Sequence, residues 1–283
     1  MNIVVEIARD TIRMLLRQKL LLAVIIVSSF VTLLFSTSFA TMRSKYRESM
    51  ATMSNKPTLE TTSQAHDKAK PDVRKREIQE SLELAGMIFQ GFFYGVVSLG
   101  GTMIALLIFP TVVSSEVRRG TIRITLSKAV SRPQFLLGKW LGALAIMTGY
   151  SAVTAMALIF FVQLQHASSS PALIWAPWLM FCKQIMLGTL AMLLSLSIHP
   201  TLAAVLAYFS GAELLQWMMG AMPLLKVPYA ILPSYGRFNL AAELMTGSLI
   251  EPSAVGMLTL YAVDFVALIL LLALWRFRKL ELV

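Results

Sequence analysis

The residue types that most often carry catalysis or bind metals are few and far apart in this sequence. The three histidines, His66, His166 and His199, fall in separate segments, and the single cysteine, Cys182, lies inside an apolar run. One cysteine cannot form an intrachain disulfide or a cysteine-cluster metal site. The sequence also has no HExxH zinc motif, no GxSxG nucleophile elbow and no GxxxxGK[ST] phosphate loop. We therefore predict that this chain is not an enzyme, with no catalytic, metal or ATP site of its own.

Three ionisable residues, Lys183, Glu213 and Asp264, stand inside apolar runs. A charge within a membrane span is costly, and it usually marks a buried pair or a transport pathway. Their positions place all three within roughly 8 Å of one another in depth, at 1.5 Å of helix per residue. We predict a charge cluster in the outer half of the membrane, with Lys183 paired to Glu213 or Asp264. The cluster would fasten helices together or line a substrate path, unless the side chains reach the headgroups separately.

The composition indicates that the elements positioning these charges are membrane spans. The chain has 283 residues, of which 57% are hydrophobic and 14% are charged, whereas soluble domains carry about 25% charged residues. A membrane-spanning helix needs about 20 mainly apolar residues. Six stretches qualify, namely 20–41, 87–113, 140–164, 177–198, 201–224 and 257–275. The sequence therefore predicts an all-α integral membrane protein with six spans in one domain, residues 20–283.

Residues 1–19 form a separate element before the first span. At 100° per residue, Arg9, Arg13 and Arg17 fall on one face with the other polar side chains, and an apolar face lies opposite. This pattern predicts an amphipathic helix in the membrane interface. The alternative is a helix packed on a soluble partner. Because the run 20–41 is longer than a usual signal core, we interpret it as a retained span, not a cleaved signal peptide.

Polar segments 42–85, 114–139 and 225–256 connect the spans. The end of the first, residues 72–90, has helical character and should extend the second span. In the second, Ser114 or Ser115 can cap a short helix that Gly120 interrupts, and Ser131-Arg132-Pro133 is typical of a new helix start.

Two further boundaries are predicted from proline positions. His199-Pro200 indicates a tight hairpin between the fourth and fifth spans, since proline fits the first helical turn; one long kinked helix would exceed the bilayer. Segment 225–256 is broken by prolines and glycines, with a short interfacial helix expected over 237–245. Tyr229, Tyr235 and Phe238 suit the headgroup layer.

The distribution of basic residues predicts the orientation. Lysine and arginine favour the cytoplasmic side of spans. The short segment 114–139 carries one acid, Glu116, against Arg118, Arg119, Arg123, Lys128, Arg132 and Lys139. We therefore place this segment and both termini in the cytosol, with 42–85 and 225–256 outside. The net charge of +10 suits anionic headgroups, and no pattern indicates nucleic-acid binding.

One stretch resembles a known family. Residues 115–122 read SEVRRGTI and residues 126–142 read LSKAVSRPQFLLGKWLG. This resembles ABC-2-type permeases, most closely the NosY-like branch, which typically have a glutamate, then glycine-threonine, a lysine-proline-valine-serine-arginine turn and glycine-lysine before the third span. Ala129 replaces the usual proline, which leaves the turn less rigid. The N-terminal helix, six spans and basic tail are similar too, although only residues 115–142 are specific.

The resemblance implies a type V exporter-like permease in a bacterial inner membrane. Two permease chains, usually a homodimer, would pair with two cytosolic ATPase subunits that bind ATP and Mg. Residues around 113–125 would form a coupling helix on the ATPase, and residues 1–19 a connecting helix. The expected coupling residues are Glu116, Arg118, Arg119, Gly120, Thr121 and Arg123. The arginines would meet an acidic surface and Glu116 a basic residue of the partner, unless the arginines only set orientation.

These observations leave several functions open. The resemblance implies a permease subunit that exports a substrate or passes mechanical signals to a periplasmic or envelope partner. The alternative is an ion-coupled secondary transporter with Glu213 and Asp264 as carriers, whereas a membrane enzyme lacks a catalytic set. NosY-like permeases are associated with maturation of copper enzymes. The 17 methionines are scattered through the spans as packing residues, so the sequence assigns no substrate.

Overall fold

The computed structural model describes residues 3–17, 41, 70–119, 130–165, 171–210 and 233–279. Within these ranges every regular element is a helix. The α-helices are α1 (Ile3–Leu16), α2 (Lys70–Arg119), α3 (Arg132–Gln165), α4 (Ala176–Ser195), α5 (Pro200–Ser210), α6 (Ala241–Thr246) and α7 (Pro252–Lys279). Short 3-10 turns, Pro171–Ile174 and Tyr235–Phe238, precede α4 and α6.

Four of the described helices contain segments long and apolar enough to cross a membrane. These segments are Gly86–Val117, Arg132–Phe160, Ala176–Ser195 and Pro252–Lys279. They match the second, third, fourth and sixth predicted spans. The fifth predicted span is described only at its start, as the apolar helix α5. The first, residues 20–41, lies outside the described residues except for Thr41, so a total of six spans stays a prediction.

Helix α4 is the centre of the described bundle, because it contacts α2, α3, α5 and α7. Two large clusters of buried apolar residues surround it. One joins Leu15 of α1, Phe135 of α3 and Phe277 of α7. The other joins Tyr94 of α2 to Phe238 of the second 3-10 turn. We call the end of the bundle with the first cluster the motif end, and the end with the second cluster the opposite end.

Helix α2 runs through both ends without a break. It has 50 residues, which corresponds to about 75 Å of helix, so the predicted extension before the second span is confirmed. The prediction that Ser114 or Ser115 caps a new short helix is wrong. The Ser114 hydroxyl donates to the Pro110 carbonyl at 2.6 Å, a bond to the preceding turn that lets serine stand inside a helix.

The predicted start of α3 is confirmed by its hydrogen bonds. The backbone N–H of Ser131 donates to the Gln134 side chain at 3.1 Å, and the backbone N–H of Gln134 donates to the Ser131 hydroxyl at 3.4 Å. This reciprocal pattern is a capping box, which satisfies N–H groups that the first helical turn leaves unpaired. The tight hairpin is confirmed as well, because α4 ends at Ser195 and α5 begins at Pro200.

The segment before α6 is buried more deeply than predicted. The α-helix begins only at Ala241, after the 3-10 turn. Tyr235 and Phe238 are 1% and 0% exposed, so the prediction that their rings face the headgroup layer is wrong. Phe238 stacks on Tyr261 of α7, and the Tyr94 hydroxyl donates to the Phe238 carbonyl at 3.2 Å. Packing against α2 and α7 therefore encloses these rings.

Candidate functional site at the motif end

Helix α1 is held against α3 by two glycines one turn apart. A Cβ at Gly138 would lie 2.8 Å from the Ile7 side chain, and a Cβ at Gly142 would lie 2.6 Å from Thr11 and 2.9 Å from the Ala8 carbonyl. Glycines at this spacing let two helix backbones approach closely. Helix α1 therefore packs its apolar face on the start of α3 within the same chain.

An ion pair joins the end of α2 to the start of α3. The Lys139 ammonium donates to the Glu116 carboxylate, and the two side chains are 6% and 17% exposed. The ammonium also lies 5.6 Å from the centre of the Phe135 ring. Because both charges are largely removed from water, loss of either partner should cost about 3–5 kcal/mol of stability.

Helix α7 ends against the first turn of α3. The Arg132 guanidinium donates to the carbonyls of Phe277 and Arg278, at 3.4 and 3.0 Å. The rings of Phe135 and Phe277 stack with centres 6.0 Å apart. A cation that donates to the last carbonyls of a helix satisfies acceptors left without an intrahelical partner and favours the negative end of the helix dipole.

Residues 138–142 contact three other elements. The two glycines face α1 and Lys139 meets Glu116 of α2, while the Trp140 indole N–H donates to the Thr189 hydroxyl of α4 at 3.0 Å. One turn earlier on the same helix, Phe135 meets α7. The beginning of α3 is thus the point where α1, α2, α4 and α7 are joined at the motif end.

The structure describes only part of the predicted coupling set. Glu116 is one turn from the end of α2, and it forms an ion pair with Lys139 of the same chain. Arg118 and Arg119 belong to the last turn of α2, but their side chains lie outside the description. Gly120, Thr121 and Arg123 lie outside the described residues altogether. A role of this set in binding an ATPase stays a prediction.

Lys139 was not predicted as a site residue, although it belongs to the stretch that resembles the ABC-2-type permeases. Its signal was a lysine bordered by apolar and small residues at the start of a span, with one acid upstream in the same motif. A buried lysine needs an acidic partner, and Glu116 is the acid within segment 114–139. The pair could therefore have been proposed from the sequence alone.

The predicted membrane charge cluster is partly described. Lys183 of α4 is half-buried, and Asp264 of the neighbouring helix α7 is exposed in the single chain. Each stands five residues after one partner of the Trp178–Thr259 hydrogen bond, whose length is 2.9 Å. The two residues therefore lie at a similar level of adjacent helices. Glu213 lies outside the described residues, so the pairing of Lys183 stays a prediction.

A polar group in the middle of the bundle was not singled out from the sequence. Gln184 of α4 is 0% exposed, and its amide fills the space that a Cβ on Gly101 would need. Neither amide atom has a hydrogen-bond partner among the described residues. Gly101 thus serves close packing of α2 on α4, and Gln184 makes that contact polar.

The class of protein follows from the helices and from a family comparison. Four apolar helices of membrane-spanning length in an all-helical bundle define a membrane-embedded protein. The family model that matches residues 5–273 is described as ABC-2 family transporter protein. Because the match covers nearly the whole chain, the protein belongs to the ABC-2 family, whose members are non-catalytic membrane components working with an ATP-binding subunit. No curated protein matches the chain.

Proposed function

We propose that this protein is the permease subunit of an ATP-binding-cassette transporter of a bacterial cytoplasmic membrane. A separate cytosolic ATPase would bind ATP and Mg and would drive the permease from the motif end. Two permease chains, as a homodimer, would pair with two ATPase subunits. The observation that carries the proposal is the joining of α1, α2, α3 and α7 around the ends of the basic segment 114–139.

The positions of the described helix ends support six spans with both termini on one side. Helix α1, the end of α2 and the end of α7 all contact the start of α3. The start of α2 lies about 75 Å away along its axis, and the predicted span 20–41 stands between α1 and α2 in sequence. The short segment 114–139 carries six basic residues against one acid, which favours the cytosol for the motif end.

Helix α1 fits the role of a connecting helix at the membrane surface. Its packed face meets α3, whereas Arg9, Asp10 and Arg13 are exposed. Beside the packed face, Val5 and Leu16 are 58% and 48% exposed. One apolar flank next to a charged face suits a helix that lies half in the interface. This arrangement supports contact of α1 with lipid and α3 at the same time.

The end of α2 and residues 120–129 would form the coupling segment. Arg118, Arg119 and Arg123 would supply positive charge for an acidic groove on the ATPase. The NosY-like resemblance of residues 115–142 supports this role, and it extends the proposal to either substrate export or force transfer to a periplasmic or envelope partner.

Charge reversal tests the coupling proposal. We expect R118E/R119E to reduce the ATPase retained on tagged permease by about tenfold or more, because reversed charges repel an acidic groove. Monodispersity of the purified variant should be unchanged. K279E is the matched control, since Lys279 is an exposed cation at the same end of the bundle. Undiminished retention of the ATPase by R118E/R119E would contradict the coupling assignment.

A further inference from the structure

Both ends of the segment between α2 and α3 lie close to one ion pair, Glu116–Lys139. Helix α2 ends at Arg119 and α3 begins at Arg132. Glu116 lies one turn before the first of these ends, and Lys139 lies two turns after the second. Val117 and Val130, at the two edges of the segment, both pack against the apolar cluster of the motif end. The ion pair between Glu116 and Lys139 thus forms a charged link between the two ends.

The environment makes this pair different from a surface salt bridge. Exposed ion pairs contribute little because water and salt screen them. Here the Lys139 side chain is 6% exposed, and it lies between the Glu116 carboxylate and the buried Phe135 ring. A charge removed from water in this way requires its partner. The two helices therefore cannot separate at this level without exposing or stranding a charge.

The geometry also bears on the partner of Glu116. The sequence interpretation allowed Glu116 to meet a basic residue of the ATPase. In the structure its carboxylate is directed to Lys139, and the side chain is only 17% exposed. Little of that carboxylate is left for a second protein to reach. Glu116 is therefore better suited to hold the coupling segment than to bind the partner.

We propose that Glu116 and Lys139 form a clasp that makes the ends of α2 and α3 move as one unit. This inference rests on the proposed function, because the clasp matters only if force arrives at residues 120–129. With the clasp closed, a push on that segment displaces α2 and α3 together, and α1 and α7 follow through their contacts with α3. With the clasp open, the same push separates the two helices. Glu116 and Lys139 are positioning residues in this account.

The experiment compares charge-removing, charge-swapping and charge-free variants of the pair in the complete complex. The variants are E116Q, K139M, the swap E116K/K139E and the double neutral variant E116Q/K139M. K279M is the matched control, because Lys279 is an exposed cation at the same end that lies over Trp275 at 4.0 Å. For each variant we would measure the amount of ATPase retained and the apparent Tm. We would also measure the hydrolysis ratio, which is the rate of ATP hydrolysis by the complex divided by the rate of the ATPase alone.

The clasp predicts a distinct pattern across these readouts. The single variants should retain the ATPase and should lower the apparent Tm by about 5–10 °C. Their hydrolysis ratio should move at least halfway from the wild-type value to one, the value at which the permease has no effect on the ATPase. The swap should restore both Tm and ratio. The double neutral variant, which strands no charge, should regain Tm but keep a ratio near one, and this result remains informative if the swap does not fold. K279M should match wild type.

Three results would overturn the clasp. The first is a wild-type hydrolysis ratio in the single or double neutral variants. The second is a swap that regains Tm without regaining the ratio, since the pair would then be only structural. The third is rescue of E116K by charge reversal on the ATPase, which would make Glu116 a partner contact. If wild-type permease retains no ATPase, the proposed function itself fails, and this outcome is distinguishable from the other three.

Discussion

At the scale of single residues, Arg132 is one of the side chains that tie the end of α7 to the bundle. It donates to two carbonyls in the last turn of α7. We expect R132Q to lower the free energy of unfolding by about 1–2 kcal/mol, since charge-assisted bonds to helix carbonyls are lost. Thermal unfolding in detergent measures the change. R278Q removes an exposed cation from the same turn, and an equal loss in that control would contradict a special role for Arg132.

The predicted charge cluster can be tested at the same scale by double-mutant cycles. Lys183 should couple to its true partner, Glu213 or Asp264, by about 1 kcal/mol or more. K183M/E213Q and K183M/D264N, each with its single variants, separate the two possibilities through apparent Tm values. If Glu213 is the partner, D264N alone should change stability little, because Asp264 is exposed in the single chain. Additive effects in both cycles would contradict the predicted charge cluster.

The sequence predicted the structural role of a residue correctly where that residue type suits one backbone position. Pro200 starts a helix because its fixed φ and missing N–H suit the first turn, and the Ser131–Gln134 pair marks a start through its capping box. The prediction that Ser114 caps a new helix was wrong because a serine hydroxyl has two options. It can accept a hydrogen bond from a following backbone N–H as a cap, or it can donate to a carbonyl of the preceding turn. Which bond forms depends on whether the helix continues, and this is decided by packing of α2 on α4.

At the scale of elements, the approach of α1 to α3 depends on the missing side chain at Gly142. We expect G142V to displace α1 and to lower the apparent Tm by several degrees, because a Cβ there would overlap Thr11 and the Ala8 carbonyl. G149V is the control, since a Cβ at Gly149 of the same helix meets no other atom within 4 Å. Limited proteolysis within residues 1–19 measures release of α1.

Equal behaviour of the two glycine variants would contradict close packing of α1 on α3.

The sequence predicted an amphipathic helix over residues 1–19 but not the helix that it packs against, since a hydrophobic face indicates burial without naming what covers it. The early start of α2 was predictable from the helical character of residues 72–90, whereas its continuation past Ser114 to Arg119 was not. Burial of Tyr235 and Phe238 was not, because aromatic side chains suit both a headgroup layer and a protein core.

At the scale of the whole molecule, the described helices pack together at the motif end, whereas many apolar side chains of α7 are exposed. The apolar side chains of α7 are largely exposed in the single chain, including Met257, Leu260 and Leu271. In a membrane-embedded protein such a face meets lipid or a second protein chain. The homodimer and the two ATPase subunits belong to the proposed function.

The central claim is that the segment between α2 and α3 faces the cytosol and touches an ATPase. Cys182 is the single cysteine, so a C182A background with T125C carries one reporter thiol on this segment. We predict that a membrane-impermeant maleimide labels T125C in inside-out vesicles, not in intact cells, and that added ATPase slows this labelling. Labelling from outside the cell, or labelling that the ATPase leaves unchanged, would contradict the account.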